Sequence, residues 1–160
     1  MAITQAMCTS FKAELMLGVH DFRPTGDTGS DTFKLALYLD TADIDANTTA
    51  YTATNEASGT NYSAGGSSLN NLGVVASNTN ASAGVGFTDF SDLTFANVTV
   101  NAAGALIYNS TPSANSNANT ALTNASVCVL NFGGTKTSTD GDFTIIFPTA
   151  SNSAAIIRIA

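Results

Sequence analysis

The sequence has few charged residues, one histidine, two cysteines and no tryptophan. Charged side chains make up only 11% of its 160 residues, whereas hydrophobic residues make up 44%. Solubility therefore depends on hydroxyl and amide side chains, and Ser, Thr and Asn together fill about a third of the chain. Because Thr packs well on a pleated strand while Asn and Ser favour turns, this composition indicates strands and turns rather than a helical bundle.

Basic residues are especially scarce. Five Lys and Arg stand against twelve Asp and Glu, which gives a formal net charge of -7. Such a charge repels nucleic-acid phosphates and anionic membrane surfaces. No stretch approaches the roughly 20 apolar residues of a membrane-spanning helix, and the first residues lack the pattern of a secretory signal. We therefore expect no nucleic-acid partner, no membrane partner, and synthesis in the cytoplasm without export.

Neither the cysteines nor the histidine occurs in a pattern typical of a metal or catalytic site. Cys8 and Cys128 lie far apart and lack the paired spacing of a zinc site, so two buried free thiols are expected. The single histidine, His20, lies in a turn-rich stretch, and no GxSxG motif surrounds any serine. We interpret His20 as a residue of the surface or of a turn in which its hydrogen bonds are satisfied.

The two glutamates do not suggest a catalytic acid pair. Glu14 is expected on the solvent face of a helix and Glu56 in a loop, whereas glycoside cleavage needs two acids facing each other across a cleft. The sequence also lacks glycine-rich phosphate-binding motifs. We therefore expect a protein that is not an enzyme and that uses no cofactor.

The segment LDTADIDANTT carries the most metal-like cluster. The alternating residues Asp43, Asp45 and Asn47 resemble the start of a calcium-binding loop. However, Thr48 stands where the sharp turn of that loop needs glycine, and Thr54 stands where its bidentate glutamate belongs. A solvated acidic turn is favoured, with a calcium site as the alternative.

One helix is predicted, over residues 4–17. Apolar side chains recur there every four residues and Gly18 follows to end the helix; the repeating positions are Ile3, Met7, Phe11 and Leu15. The stripe indicates either a helix packed against a sheet or an arm that inserts into a neighbouring subunit. In the second case Met7, Phe11 and Leu15 would bind the partner.

From residue 31 onwards the pattern indicates strands. Residues 31–40 alternate apolar and polar side chains, which predicts a strand with one buried face. Two strands are expected within residues 87–108, with a bulge or turn at Ala96-Asn97, and continuous apolar runs at 105–108 and 127–132 predict central strands. Gly133-Gly134 and Asp140-Gly141 indicate a hairpin. A strand at 155–159 and weaker candidates at 50–54 and 72–76 complete the set.

These elements predict a single domain over residues 1–160. Its fold is expected to be mainly β, an antiparallel β-sandwich of about seven or eight strands over residues 31–160, with one N-terminal helix. Long polar loops are expected at 55–86 and 109–124, where small polar side chains dominate. Tyr51 and Tyr62, in or beside the first loop, are the candidate platforms for a sugar ring.

Four segments of the chain resemble a group of small, uncharacterised virion proteins of tailed bacteriophages. They are MAITQAMCTSFKAELMLGVHDF, DTFKLALY, GALIYNST and LNFGGTKTSTDGDFTIIFPT. The resemblance implies a structural role in the phage particle and carries over no catalytic residue.

The leading expectation is a capsid decoration or cement protein on the outer surface of the virion. Its partners would be the major capsid protein and further copies of itself, with a trimer expected because cement proteins commonly act at threefold positions. A tail component, such as a fibre, an adaptor or a tube-associated domain, is one alternative. A module that binds host glycans is another.

Overall fold

The computed structural model describes residues 2–77, 84–112 and 122–160. These residues form a mainly β structure with two antiparallel sheets and one short helix, consistent with a β-sandwich, so the predicted fold class is confirmed. The helix α1 spans Thr9–Met16. The strands are β1 (Ala6–Met7), β2 (Phe33–Tyr38), β3 (Ser67–Ser68), β4 (Asn71–Ser77), β5 (Val85–Phe90), β6 (Leu93–Asn109), β7 (Ala125–Ile145) and β8 (Ile157–Ile159).

The two longest strands, β6 and β7, pair with each other inside the larger sheet. The pair runs from Leu93 opposite Ile145 to Asn109 opposite Ala125. The strand order of this sheet is β1-β7-β6-β2-β3, and that of the smaller sheet is β4-β5-β8. The two outer strands of the larger sheet, β1 and β3, are only two residues long.

Strand β2 is buried on both faces, which corrects the prediction of one buried face. On one face Phe33 stacks on Phe22 with ring centroids 4.4 Å apart. On the other face the hydroxyl of Tyr38 donates to the carbonyl of Thr52 at 2.6 Å, because the segment after β2 folds back over the sheet. The alternation of apolar and polar side chains hid this second layer, since Ala36 and Tyr38 are also buried.

The helix is shorter than the predicted range 4–17. Ala6 and Met7 pair with β7, and the N–H of Cys8 donates to the carbonyl of Val127 at 3.0 Å, so the sheet uses backbone groups that a longer helix would need. The end of the helix was predicted correctly. Gly18 has a φ of 69°, and its N–H and that of the next residue bond to carbonyls of the last turn, as in a Schellman motif.

The hairpin predicted at Gly133-Gly134 and Asp140-Gly141 is wrong. Strand β7 passes through both pairs, and its antiparallel partner is β6. The register shifts at both places, so the left-handed residues Gly133, Gly134 and Asp140 form bulges rather than a chain reversal. The phase slip at Ala96-Asn97 was interpreted correctly, because Asn97 has a φ of 50° at another register shift.

The predicted loop boundaries need two corrections. The range 55–86 is not one loop, since it contains β3, β4 and the start of β5. The weak strand candidate at 72–76 is part of β4. The candidate strand at 50–54 is not a strand and makes only an isolated bridge between Ala50 and Ala125. Of the loop predicted at 109–124, residues 113–121 lie outside the described residues. The final strand, predicted at 155–159, is the shorter β8.

Candidate functional site

Glu56 is the centre of a buried hydrogen-bond cluster. Its Oε2 accepts from the Tyr51 hydroxyl at 2.6 Å, and its Oε1 accepts from the Tyr62 hydroxyl at 2.8 Å and from the Gly65 N–H at 2.7 Å. The Gly65 carbonyl in turn accepts from the hydroxyl of Tyr108, a residue of β6. The cluster therefore fastens the segment after β2 to the larger sheet.

This cluster limits what Tyr51 and Tyr62 can bind. Both rings are half-buried, and the ring of Tyr51 stacks on Tyr108 with centroids 4.9 Å apart. Tyr62 packs against Phe95 at 5.5 Å. Because their hydroxyls already bond to Glu56, neither ring is the open platform that a sugar would need.

A second cluster surrounds His20, which is buried rather than exposed. Its Nε2 lies 2.8 Å from Oε2 of Glu14, which is also buried and not on the solvent face as predicted. Its Nδ1 lies 3.1 Å from Nδ2 of Asn109, the last residue of β6. The same Nδ2 donates to Asp31 at 2.7 Å. Sequence reasoning missed this cluster because its members are far apart in the chain.

The hydrogen bonds identify the tautomer of His20. The Thr111 N–H donates to Oδ1 of Asn109 at 3.0 Å, so the amide nitrogen of Asn109 faces the histidine and donates to Nδ1. The proton of the neutral ring is therefore on Nε2 and is donated to Glu14. Burial lowers the pKa of His20 and outweighs the opposing effect of Glu14. With both nitrogens bonded and no side-chain exposure, this histidine stabilises the fold and has no contact with solvent.

Acidification should weaken the fold through His20. In the unfolded chain histidine titrates near pH 6.5, whereas the folded chain holds His20 neutral to a lower pH. The unfolded state then binds more protons, so the free energy of unfolding should fall as the pH falls from about 7 to 5, by up to about 1.4 kcal/mol per pH unit. Urea unfolding at several pH values measures this. The His20→Gln variant should give a flatter profile, and identical slopes for both proteins would contradict the prediction.

The acidic turn at Asp43, Asp45 and Asn47 is organised by its own hydrogen bonds. The two carboxylate oxygens of Asp45 accept from the backbone and the side-chain amide of Asn47, at 2.7 and 3.2 Å. The Asp45 N–H donates to Thr48 at 3.0 Å, and Asp43 is exposed. Among residues 2–77, 84–112 and 122–160, no three His, Cys, Asp or Glu side chains gather closely enough to hold a metal ion. The calcium alternative stays a prediction without a structural observation in its favour.

The three residues of the predicted helix that were candidates for binding a partner lie in different environments. Met7 is half-buried in β1, Phe11 is completely buried, and Leu15 is half-buried on α1. Phe11 packs edge-on against Phe22 with centroids 6.0 Å apart, so it has no exposed surface for a partner. The free thiols are buried as expected, and burial raises the pKa of both Cys8 and Cys128.

The smaller sheet exposes an apolar edge. Strand β4 is its edge strand, and Leu72, Val74 and Val75 are 49%, 65% and 48% exposed. No charged residue occurs in β4, although natural edge strands are usually protected by charge, proline or short length. At the other edge, Ile159 of β8 is 59% exposed. We call Leu72, Val74 and Val75 the β4 edge surface, and sequence reasoning did not identify it as a binding site.

Comparisons with protein families, with curated proteins and with solved structures found no match to the chain. In the described part of the chain, the one helix is far too short to cross a membrane.

Proposed function

We propose that the protein is a structural component of a tailed-phage virion, and specifically a capsid decoration protein. The β4 edge surface carries this proposal, because β4 is an uncharged edge strand with exposed aliphatic side chains, and its outer backbone beyond Asn71, which bonds to Thr25, is suited to pairing with another chain. The resemblance of four sequence segments to small virion proteins supports the same role. The major capsid protein is the proposed partner.

The buried polar clusters fit a rigid structural domain. Through hydrogen bonds from Tyr108 and from Asn109 of β6, the Glu56 and His20 clusters join segments far apart in the chain. Each contact with the capsid need contribute only a few kcal/mol, since many copies act in parallel on one shell.

Placing a charge on β4 should abolish attachment to capsids. Val74→Lys adds a charge to a 65% exposed edge position, so the domain should remain folded while its occupancy on capsids lacking the protein falls about ten-fold or more. Co-sedimentation with such capsids measures occupancy, and circular dichroism checks the fold. Thr139→Lys, at an exposed position on β7, is the matched control. Equal loss in both variants would refute a role for the β4 edge surface.

The copy number in purified virions distinguishes decoration from a tail component. A protein that decorates the capsid lattice should be present in hundreds of copies, whereas a ring or fibre of a tail would contribute about a dozen or fewer. Particles without the protein should also burst at lower temperature. Unchanged heat stability together with a low copy number would favour the tail alternative.

A further inference from the structure

An apolar groove lies along the larger sheet, beneath the segment between β7 and β8. Its volume is about 350 Å³, within the usual range for small-molecule sites. The walls are mainly aromatic and aliphatic: Leu130, Phe132, Phe143, Ile145, Ile146, Phe147, Pro148 and Ile156. Phe132 and Phe143 pack with ring centroids 6.1 Å apart. The groove therefore offers a preformed apolar surface.

One cation lines this groove. Lys136 is one of only five basic residues in a chain of formal charge -7, and its ammonium group forms neither a salt bridge nor a hydrogen bond with any residue of the described ranges. Its partner in the β-ladder is the buried Ala102, which gives it no polar neighbour directly across the sheet. The ammonium group is thus available to an anion at the groove.

A neighbouring cavity indicates how a ligand would be oriented in the groove. A second cavity of about 430 Å³ shares Leu130, Pro148 and Ile156 with the first and extends to Met7 and Cys128. No basic residue lines this second cavity, so Lys136 is the one cation among the described residues that line the two cavities. The anionic head group of a ligand is therefore expected at Lys136.

The exposed side chain of Ile146 supports a ligand with an apolar body. Ile146 lines the groove and is 77% exposed, although most of the surrounding aromatic side chains are buried. An aliphatic chain in the groove would cover this side chain and remove apolar surface from water, which favours binding.

We infer that this groove binds an amphipathic anion, a medium-length acyl chain whose carboxylate pairs with Lys136. The apolar chain lies along Phe132, Phe143 and Ile146 towards the second cavity. This binding site is independent of the β4 edge surface and of the proposed role in the virion.

Titration of the intact protein with decanoate tests the inference. Backbone amide signals of Phe132, Phe143 and Ile146 should shift in a saturable way, below the concentration at which decanoate forms micelles. Decan-1-ol and decyltrimethylammonium, which have the same chain but a neutral or cationic head, should bind more weakly. Lys136→Gln should weaken decanoate binding about three- to five-fold, as expected for an exposed ion pair. Lys12→Gln, on the exposed side of α1, should leave it unchanged.

Four results would overturn the inference. The first is the absence of saturable shifts at the groove. The second is a set of shifts centred on the β4 edge surface, which would indicate adhesion of the chain to exposed apolar residues. The third is equal affinity for the three head groups. The fourth is equal affinity of wild type and Lys136→Gln for decanoate. The shift map needs no variant, so it remains decisive even if a substitution at the groove impairs folding.

Discussion

Glu56→Ala should lower the free energy of unfolding by about 3 kcal/mol, because it leaves buried donors without an acceptor. The hydroxyls of Tyr51 and Tyr62 and the N–H of Gly65 all donate to this carboxylate. Once it is lost, the segment after β2 keeps its apolar contacts and its hydrogen bonds from Tyr38 and Tyr108, but three donors have lost their acceptor. Urea unfolding followed by circular dichroism measures the change.

Glu56→Gln is the matched control. The amide oxygen can still accept from Tyr62 and Gly65, and the Tyr51 hydroxyl can rotate to accept from the amide NH2, so a loss of only about 1 kcal/mol is expected. Equal stability of the Ala and Gln variants would show that the hydrogen bonds accepted by the side chain of residue 56 do not stabilise this segment.

Alkaline solution should unfold the protein cooperatively at a pH above about 10. Burial raises the pKa of all four tyrosines of the chain, Tyr38, Tyr51, Tyr62 and Tyr108, whereas tyrosine in an unfolded chain titrates near 10. The folded state then keeps protons that the unfolded state releases, so stability falls as the pH rises, by up to about 1.4 kcal/mol per pH unit for each tyrosine. Summed over the four tyrosines, the loss is comparable with the free energy of unfolding of a typical protein, about 5–15 kcal/mol.

Tyrosinate absorbance recorded together with far-ultraviolet circular dichroism tests this expectation. Both signals should change in one steep transition, whereas the chain in guanidinium should titrate smoothly near pH 10. A shallow loss of stability should begin near pH 9, because burial also raises the pKa of the thiols, that of Cys128 to about 12. Tyrosinate formation near pH 10 with unchanged circular dichroism would show that the hydroxyls are accessible in the folded state.

Local sequence patterns were sufficient for the elements that local chemistry determines. The apolar runs at 105–108 and 127–132 lie in the long strands β6 and β7, and Gly18 ends the helix as its position suggested. The hairpin prediction at Gly133-Gly134 and Asp140-Gly141 was wrong because left-handed backbone occurs both in hairpin turns and in bulges. The two can be distinguished only from the position of the partner strand, which the sequence of one strand does not reveal.

The polar clusters could not be predicted for a related reason. His20 and Asn109 are 89 positions apart, and their contact exists only once β6 lies beside β2. Glu14 lies three positions after Phe11 and shares its buried face. A carboxylate is rarely buried without a partner, and the partner here, His20, lies beyond the end of the helix where the helical pattern does not reveal it.

The pairing of β1 with β7 has a consequence for the order of folding during synthesis. Ala6 lies opposite Val129, so the start of the chain has to wait for more than a hundred residues before its partner leaves the ribosome. Contacts this distant in sequence slow folding, and until β7 has emerged β6 lacks its partner along one edge. A nascent chain should therefore gain protease resistance late and in a single step, after β7 has emerged.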